Sequence, residues 1–598
     1  MKAIVLAAGA GGRMRPLTDH LHKSLVPVGN STILGRIVDG LIEIDVRDIL
    51  VVTGYRADQV KGFLGERYPW VGFEFVHNER YRETNNIVSL AMALEVCDFE
   101  TDVILIECDV LFETSLLRRL NNEERGNIAL VDRYRPGMDG TVVSVENGVI
   151  TSVYPPHLQT EDFDYRDKYK TVNIYRFDRE FCRNTLRPLL SCYANVIDSG
   201  CYYELVLGML INMQREVVRA EVVDGSEWVE VDDPNDLAVA RFAFEPDQRS
   251  KVLSRNFGGL WNFDVLDFTF MRNMYFPTDA MIAAMRRALP TLVVSYGSAQ
   301  PVLNEKLAYV LRCHSDRIQC LHGAGQVFPM LSGLLGVSRA LIPAPTFGEF
   351  PRWFPKHELY WDTVGVDCAE LGERARDFDL VVVVSPNNPT GTTLSTACLH
   401  AMIARCPGTT FLVDESFQAF STEKALLDRL EEDPLDNVIV IASLSKTLGV
   451  PGLRLGYAYS CDPEKIRKLG AQVPIWNLGS MAEFFLELFL KFAPEWNSSI
   501  ARSVADRKAL QIGLAEVPGV ERVYPSGGNF LLARLQGSNP ANAARVVEDL
   551  LARHSIYVKD VSAKFPEAAP YLRVAVRRPA ENLKLLTALG SALAEVRN

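Results

Sequence analysis

Short, continuous apolar runs recur along the whole chain and constrain its fold more than any other feature. The runs are KAIVLAA, DILVVTG, DVILIECD and NIALVD in the first half, and DLVVVVSP, TFLVDE and NVIVIASLSK in the second. Helix-like amphipathic stretches separate them. A strand that is apolar along its whole length is buried on both faces, so helices must cover each side of a parallel or mixed sheet. We therefore predict an α/β fold in both halves.

The length of the chain implies more than one domain. At 598 residues it exceeds what one hydrophobic core supports. Residues 243–259, AFEPDQRSKVLSRNFGG, are charged and interrupted by proline and glycine, which is typical of a domain boundary. We predict a first domain at residues 1–245, a linker at 246–258 and a second domain at 259–598.

Charge and cysteine content argue against several classes of function. The formal net charge is −12 and no run of lysine and arginine stands out, which argues against a nucleic-acid or membrane partner. The 11 cysteines are scattered singly without metal-ligand spacing, which predicts reduced thiols in a cytoplasmic protein. No apolar run approaches the roughly 20 residues that a membrane-spanning helix needs.

A glycine-rich turn follows the first apolar run, where backbone N–H groups can approach a phosphate chain closely. Its candidate nucleotide-binding residues are Ala8, Gly9, Gly11, Gly12, Arg13 and Lys23. Two cations beside such a turn suit a triphosphate that loses pyrophosphate. The combined pattern LAAGxGxRxxPLT…KxLxPV resembles the nucleotidyltransferases that make nucleotide sugars and CDP-choline. The resemblance implies a Rossmann-like fold with Lys23 as a catalytic cation.

A second segment relates this half to one branch of that family. Residues 78–89 have the pattern NxxYxxTNNxxS, which resembles the phosphocholine-cytidylyltransferase-like branch more than the hexose-1-phosphate branch. The resemblance implies Asn86 as a nucleotide contact and CTP as the nucleotide. Lys170, in KTVNIYRF, is open to two interpretations, a clamp for an ionised phosphorus acceptor or a solvated lysine at a strand start. We interpret the segment Tyr202–Glu204 as helix packing with a charged rim.

Three carboxylates are candidate metal ligands. Asp109 follows the apolar run VILIEC, at the C-terminal end of a strand, where binding sites open in such sheets. The resemblance implies that this catalytic aspartate holds Mg²⁺. Glu230 and Asp232 share one face of a later strand, so either could complete the site, and we favour Asp232. Mg²⁺ accepts one or two carboxylates, with water and phosphate oxygens filling its other positions.

Three motifs in the second half occur in a fixed order, SPNNPTG at 385–391, VDESF at 413–417 and SLSKTLGVPGLRLGY at 443–457. Together they resemble fold-type-I pyridoxal-phosphate (PLP) enzymes, specifically histidinol-phosphate aminotransferase and threonine-phosphate decarboxylase. The resemblance extends from about residue 255 to the end of the chain. It implies a PLP-dependent transferase fold with a large and a small domain, and a homodimer.

The resemblance assigns roles to individual residues. Lys446 bonds the cofactor covalently and moves the proton at Cα, Asp414 keeps the ring nitrogen protonated, and Asn388 binds the ring oxygen. The residues implied to hold the cofactor phosphate are Ser443, Ser445, Arg454, Ala324, Gly325 and Gln326.

The remaining implied roles concern the ring face and the substrate. Phe347 stacks on the ring, and Tyr296 reaches the phosphate of the neighbouring subunit. Arg573 binds the substrate α-carboxylate, because its planar guanidinium can form two parallel hydrogen bonds to a carboxylate. Asn273 lies near the arm that covers the substrate.

One position departs from many aminotransferases. Phe417 replaces a tyrosine whose hydroxyl bonds the ring oxygen, and in this respect the chain is closer to threonine-phosphate decarboxylase. The bond broken at Cα is the one perpendicular to the ring, and sequence does not show that orientation. Decarboxylation and transamination both stay open.

The joining of the two halves suggests that they act on one molecule in succession. The first needs an ionised phosphorus acceptor and the second an amino acid or amine, so their shared substrate is a phosphorus-bearing amino acid. This resembles the bifunctional nucleotidyltransferase/decarboxylase of the fosmidomycin-type phosphonate antibiotic pathway. The resemblance implies CMP transfer from CTP to 2-amino-4-phosphonobutyrate, followed by decarboxylation of the CMP-linked amino acid.

Two alternatives remain. A cytidylyltransferase joined to a transaminase would make 2-aminoethylphosphonate from its aldehyde and activate it, and turnover would need a keto acceptor. Alternatively, one half could be inactive and serve in binding or assembly. The presence of Lys23, Asp109, Asp414, Lys446 and Arg454 speaks against decay of either site.

Overall fold

A computed structural model describes residues 1–120, 126–223 and 227–596 of the chain. The chain divides into two compact units, Met1–Asp264 and Val265–Asn598. Each has its own sheets and its own cores.

The first unit is built on one large mixed sheet. Its strands are β1 (Lys2–Ala7), β2 (Pro27–Val28), β3 (Ser31–Thr32), β4 (Asp48–Thr53), β5 (Gly72–His77), β6 (Val103–Glu107), β7 (Val110–Phe112), β8 (Asn127–Arg133), β9 (Val142–Glu146), β10 (Val149–Tyr154), β11 (Lys168–Phe177), β12 (Val218–Val223) and β13 (Trp228–Glu230). Its helices are α1 (Ile33–Glu43), α2 (Ala57–Arg67), α3 (Asn86–Val96), α4 (Thr114–Leu120), α5 (Arg179–Phe181), α6 (Arg187–Cys192), α7 (Tyr203–Asn212), α8 (Pro234–Phe244) and α9 (Arg249–Asn256).

Nine of these strands form the sheet, in the order β5-β4-β1-β6-β11-β8-β12-β10-β9. Strands β5, β4, β1 and β6 run parallel, and β11 joins them antiparallel to β6. All six residues of β1 are buried, with Val5 in one hydrophobic core and Leu6 in another. Alternate side chains of this strand therefore enter opposite layers, which explains its unbroken apolar sequence. The predicted α/β, Rossmann-like architecture is confirmed.

The second unit contains a large and a small sheet. Its strands are β14 (Leu266–Asp267), β15 (Ile318–His322), β16 (Ala340–Ala344), β17 (His357–Trp361), β18 (Leu380–Val384), β19 (Thr410–Asp414), β20 (Val438–Ser443), β21 (Leu455–Tyr459), β22 (Val520–Val523), β23 (Phe530–Leu535), β24 (Ile556–Tyr557), β25 (Lys559–Asp560) and β26 (Tyr571–Ala575). Its helices are α10 (Asp279–Val293), α11 (Gln300–Leu311), α12 (Val327–Leu335), α13 (Glu349–Trp353), α14 (Cys368–Ala375), α15 (Thr396–Ala404), α16 (Leu426–Glu432), α17 (Leu444–Thr447), α18 (Pro463–Gly470), α19 (Ser480–Phe489), α20 (Ala493–Glu516), α21 (Ala541–His554) and α22 (Pro579–Val596).

The large sheet has seven strands in the order β15-β21-β20-β19-β18-β16-β17, and the small one has four in the order β22-β23-β26-β25. Strands β17, β16, β18, β19 and β20 are parallel, whereas β21 lies antiparallel between β20 and β15. The small sheet is antiparallel throughout. This is the predicted division of the PLP half into a large and a small part.

The predicted linker at residues 246–258 contains α9, and the first compact unit continues beyond it to Asp264. Leu253 of α9 is buried, and the ring of Phe263 lies 5.0 Å from that of Phe242 in α8. The Arg249 Nε atom donates a hydrogen bond to the Phe242 carbonyl at 2.9 Å. Burial of these apolar side chains against α8 outweighs the linker-like composition of the segment.

The sequence also predicted reduced thiols, whereas Cys368 in α14 and Cys398 in α15 form a disulfide. Packing of the two helices places their Cα atoms 6.3 Å apart, within the range that such a bond requires. None of the helices in the described parts of the chain combines the length and the apolar character needed to cross a membrane.

Candidate active sites

The glycine-rich turn after β1 is shaped by one glycine in particular. Gly11 has a φ of 59°, and a Cβ atom placed on it would lie 3.1 Å from the Cβ of Lys23 and 3.2 Å from the Cγ2 of Thr18. The hydroxyl of Thr18 donates to the Gly11 carbonyl at 2.8 Å. Gly9 and Gly12 face open space, where a Cβ would meet nothing within 4 Å. The turn is therefore closed on the Lys23 side and open on the other, which leaves room for a phosphate chain to approach.

Lys23 joins two of the predicted metal ligands. Its ammonium donates to Asp109 Oδ2 at 3.0 Å and to Asp232 Oδ1 at 2.5 Å. Burial alone would lower the pKa of Lys23, but the two carboxylates raise it above its usual value. Arg13 donates to Asp232 Oδ2 at 2.6 Å and to Asp139 at 2.9 Å. Residues separated by more than 200 positions thus meet beside the glycine turn.

The two aspartates fit a hard divalent cation. The Asp109 Oδ1 atom is buried and has no hydrogen-bond partner among the described residues. Asp232 is held by the start of α8, where Asp233 caps the helix and the backbone N–H of Asp232 donates to Asp236 Oδ2 at 2.9 Å. One open carboxylate oxygen beside a fixed second carboxylate suits Mg²⁺, which uses few protein ligands.

Glu230, the other predicted metal ligand, is already paired. Its Oε2 atom lies 3.1 Å from the Lys170 ammonium, and its Oε1 atom accepts from Asn173 at 3.0 Å. Burial raises its pKa to about 7, against the opposing effect of Lys170. Because Glu230 is engaged elsewhere, Asp232 stays the predicted second metal ligand. Lys170 is not the solvated lysine of one interpretation, because it is 1% exposed, and its Nζ also donates to the Thr171 carbonyl at 2.7 Å.

Both polar atoms of the Asn86 side chain, a predicted nucleotide contact, are already engaged in hydrogen bonds. Its Nδ2 donates to Glu107 at 3.2 Å, and its Oδ1 accepts from the backbone N–H of Tyr203 at 3.1 Å. It therefore joins the end of β6 to the start of α7. Glu204, which the sequence placed on a charged rim, is 4% exposed. The sequence feature that could have indicated this burial is the place of the glutamate at the start of an otherwise apolar helix, YELVLGMLIN.

In the second unit, the candidate cofactor site lies at the ends of parallel strands. Asp414 ends β19, and Lys446 lies in α17, directly after β20. Burial raises the pKa of Asp414, although hydrogen bonds from Ser416 at 2.9 and 2.6 Å and the charge of Lys446 oppose that shift. Burial, with Arg573 and Arg454, lowers the pKa of Lys446 to about 8. The lysine is thus prepared as a nucleophile at moderate pH.

A candidate phosphate cradle lies next to the lysine. The Ser445 hydroxyl is buried and has no partner among the described residues. A Cβ on Gly323 would lie 2.6 Å from an Arg454 nitrogen, and one on Gly456 would lie 2.4 Å from the backbone nitrogen of Ala324. Glycine at both positions lets the turn before α12, Arg454 and β21 approach one another. The open hydroxyl and the adjacent guanidinium fit the phosphate of PLP.

The other predicted phosphate residues lie around this cradle. Ala324, Gly325 and Gln326 form a 3₁₀ turn after β15, and Ser443 ends β20. The Gln326 side chain accepts from the His322 backbone at 2.7 Å and donates to Asn477 at 2.8 Å. It therefore shapes the turn, and its contribution to phosphate binding would come from its backbone.

Arg573 of β26 bridges from the small sheet to a loop of the large part. One guanidinium nitrogen donates to Asn388 Oδ1 at 2.7 Å, and another to the Thr269 carbonyl at 2.6 Å. Its Nε is buried without a partner among the described residues. Burial lowers the pKa of Arg573 to about 10. The contacts to Asn388 and Thr269 thus fix the orientation of the guanidinium.

Three further predicted residues differ in their surroundings. Phe347 is 40% exposed, so its ring is available for stacking. Tyr296 is 78% exposed and stacks on Trp476 with ring centres 4.3 Å apart. Asn273 is buried, and its Nδ2 donates to the Thr447 carbonyl at 3.0 Å and to Ser499 at 2.7 Å. Asn273 therefore holds the lysine-bearing turn rather than presenting its amide nitrogen to a substrate.

Sequence reasoning missed two lysines on the small sheet side. Lys559 of β25 lies directly opposite Arg573 in the strand register. Lys564 follows in the next turn and donates to the Thr346 carbonyl at 2.5 Å. Their only signal is sequence proximity within IYVKDVSAK, upstream of Arg573.

Comparisons with known proteins agree with this division. Residues 260–589 match the family "Aminotransferase class I and II", and residues 3–157 match the "MobA-like NTP transferase domain". The chain is 30% identical to CMP-5'-(3-aminopropyl)phosphonate synthase of Streptomyces rubellomurinus, over 98% of this chain and 94% of that relative. It is 29% identical to L-serine phosphate decarboxylase of Sulfurospirillum multivorans, over 51% of this chain and 81% of that relative.

Solved structures resemble the second unit. A decarboxylase from Sulfurospirillum multivorans matches with a TM-score of 0.51 and 26% identity, over 57% of this chain and 91% of that one. Histidinol-phosphate aminotransferase from Clostridium acetobutylicum shares the fold, with a TM-score of 0.50 and 20% identity over 55% of this chain. The chain belongs to the class I and II aminotransferase family, fused to a nucleotidyltransferase domain, and is a bifunctional enzyme with a PLP-dependent half.

Proposed function

We propose that the protein transfers CMP from CTP to the phosphonate of an amino acid, 2-amino-4-phosphonobutyrate, and then decarboxylates the CMP-linked amino acid. The observation that carries this proposal is the group of three cations around Arg573. The relative that spans nearly the whole chain, a CMP-aminopropylphosphonate synthase by name, supports both the nucleotide and the phosphonate.

The three cations, Lys559, Lys564 and Arg573, suit a substrate with two anionic groups. Lys559 and Arg573 lie opposite each other on adjacent strands, where like charges are destabilising. Burial, with the charge of Arg573, lowers the pKa of both Lys559 and Lys564, that of Lys564 to about 8. An α-carboxylate on Arg573 would leave the two lysines for a second anion, such as the phosphodiester of a CMP-linked phosphonate.

In the first unit, the residues beside the glycine turn suit nucleotidyl transfer. Lys23 and Arg13 would hold the phosphate chain and absorb the charge that develops as pyrophosphate leaves. Asp109 and Asp232 would hold Mg²⁺, which when bound supplies charge neutralisation at the phosphates. An ionised phosphonate oxygen is already a nucleophile, so attack on the α-phosphorus needs no general base.

In the second unit, each residue would act at a defined atom. Bound PLP supplies an electron sink for the bond that breaks at Cα. Asp414 would keep a proton on the ring nitrogen, and Lys446 would deliver a proton to Cα after the carboxylate leaves. Arg573 would orient the α-carboxylate. Phe417 packs on Phe530 with ring centres 5.0 Å apart, so this position supplies packing and no hydroxyl donor.

The test is a single mixture of purified protein, PLP, Mg²⁺, CTP and 2-amino-4-phosphonobutyrate without a keto acid, followed by mass spectrometry. We expect a CMP adduct that then loses CO₂. The Lys446→Ala variant should accumulate the intact adduct, and Asp109→Asn should form none. An adduct that stays intact until 2-oxoglutarate is added would establish the transaminase alternative. The absence of any adduct would refute the acceptor or the nucleotide.

A further inference from the structure

A buried acidic group lies beside the nucleotidyltransferase site, where Glu107 ends β6 and Glu204 lies in the first turn of α7. Tyr203 donates from its hydroxyl to Glu107 Oε1 at 3.0 Å, and Asn86 donates to the same oxygen at 3.2 Å. The ring of Tyr175 lies 5.8 Å from that of Tyr203. These residues place two carboxylates and two phenols in one buried region of the first unit.

Two polar atoms in this region have no hydrogen-bond partner among the described residues. They are Glu204 Oε2 and the Tyr175 hydroxyl, on side chains whose residues are 4% and 2% exposed. A buried polar atom without a partner costs about 1–3 kcal/mol, and more when it is charged. Such atoms point to a ligand that completes their bonding.

The nearby cations are already committed to other carboxylates. Lys23 pairs with Asp109 and Asp232, and Lys170 pairs with Glu230. Within the described part of the chain, neither Glu107 nor Glu204 has an ion pair within 4.0 Å. The charge of Lys170 acts on Glu204 without forming an ion pair with it, so Glu204 Oε2 remains open to accept a hydrogen bond from an ammonium group.

The spacing of the acidic group from the metal ligands suits the proposed acceptor. Asp109 lies two residues after Glu107, in the turn between β6 and β7, so their Cα atoms are at most roughly 7 Å apart. A four-bond chain from phosphorus to nitrogen spans roughly 5 Å when extended. A phosphonate that attacks the α-phosphorus beside these metal ligands would thus place its ammonium group near Glu107 and Glu204.

We propose that Glu204, supported by Glu107 and Tyr175, binds the protonated amino group of the phosphonate acceptor in the nucleotidyltransferase half. This inference rests on the proposed function and names the group that selects the acceptor. The ammonium would donate to Glu204 Oε2, and selection would act on an amine that takes no part in the transfer itself.

The test compares two acceptors that differ only in the amine, 2-amino-4-phosphonobutyrate and 4-phosphonobutyrate. Wild-type protein should use the amino compound with a kcat/KM at least about tenfold higher, the effect of one charge-assisted hydrogen bond. Glu204→Gln keeps the shape but removes the charge. It should lower kcat/KM for the amino acceptor about tenfold or more, mainly through KM, and change that for 4-phosphonobutyrate less than about threefold.

Matched variants separate recognition from folding. Glu95 is exposed on α3 of the same unit, so Glu95→Gln should leave both acceptors unchanged. Tyr175→Phe removes only the unpartnered hydroxyl and should reduce selectivity in the same direction, which keeps the test available if Glu204→Gln does not fold.

Three outcomes would overturn the inference. Wild-type protein could use both acceptors equally, Glu204→Gln could impair both equally, or it could impair neither. Equal impairment would indicate a structural or metal-related role for Glu204. In each case the wild-type protein still forms CMP adducts, so the proposed function stands. Failure of the wild-type protein to form any adduct would instead refute the proposed function.

Discussion

Lys446 shows how one residue acquires reactivity from its surroundings. Its amine is buried in a region that also contains Arg573 and Arg454, and the nearby Asp414 only partly offsets these positive charges. Burial and the charges of the two arginines all disfavour the protonated amine, so Lys446 loses its proton more readily than a free lysine does.

We therefore expect the rate at which the apo-protein captures PLP covalently to rise with pH through about pH 8 and then level off. The uncharged amine is the nucleophile, so the rate follows its deprotonated fraction. Stopped-flow absorbance after mixing with PLP measures this. Arg573→Gln removes one of the positive charges and should move the midpoint to higher pH. A wild-type midpoint near that of a free lysine, about 10.4, would contradict the assignment.

At the scale of elements, the turn between β1 and the first 3₁₀ turn depends on a backbone conformation that few residues adopt. Gly11 combines a positive φ with close approach to Lys23 and Thr18. Gly12 has neither restriction, although it is the next residue.

Gly11→Ala should destabilise the protein by at least about 1–2 kcal/mol, because an L-residue with a left-handed backbone clashes with its own carbonyl. Displacement of Lys23 adds to this cost. The measurement is the shift of the affected transition in urea-induced unfolding. Gly12→Ala is the matched control and should change stability little. Equal effects of the two substitutions would show that the conformation at Gly11 is not the cause.

Sequence patterns predicted elements better than boundaries. The unbroken apolar runs predicted buried strands such as β1, because burial on both faces requires apolar residues at nearly every position. The predicted linker at 246–258 was a different case, since the burial of Leu253 depends on contacts that local composition does not record. The same limit explains Cys368 and Cys398, which only the packing of α14 on α15 brings together.

Site residues also divide into those marked by a local sequence motif and those defined by contacts between distant parts of the chain. Lys23, Asp109 and Lys446 could be singled out because each lies in a motif with close spacing, and their roles stay predictions. The partners of Asn273 could not be read from sequence, because Thr447 and Ser499 lie 174 and 226 residues away. Glu204 was misinterpreted because an acidic residue at a helix start is usually a favourable surface group. Only its burial shows otherwise.

For the whole molecule, we propose a homodimer formed through the second unit. Val293, Val294, Tyr296 and Ile475 are large apolar or aromatic residues with between 68% and 82% of their surface exposed. Exposed apolar patches of this kind mark association surfaces. Tyr296 would then be placed to reach the cofactor phosphate of the partner subunit.

Sedimentation equilibrium of the full chain should give twice the chain mass of 66.8 kDa. Val294→Asp should shift the population toward monomer, because it places a charge in the apolar contact. Leu583 of α22 is 65% exposed, and Leu583→Asp is the matched control that should remain dimeric. A wild-type protein that sediments only as monomer would rule out the proposal.

The position of Lys23 between Asp109 and Asp232 has a consequence for the order of loading. The ammonium of Lys23 serves as the counter-ion of both carboxylates. If the proposed Mg²⁺ took both carboxylates, it would displace this ammonium, which would then be available to a phosphate group. We therefore expect metal and nucleotide each to strengthen the binding of the other, a thermodynamic coupling that is reciprocal. The proposed site would then discriminate in favour of the metal–nucleotide pair over either component.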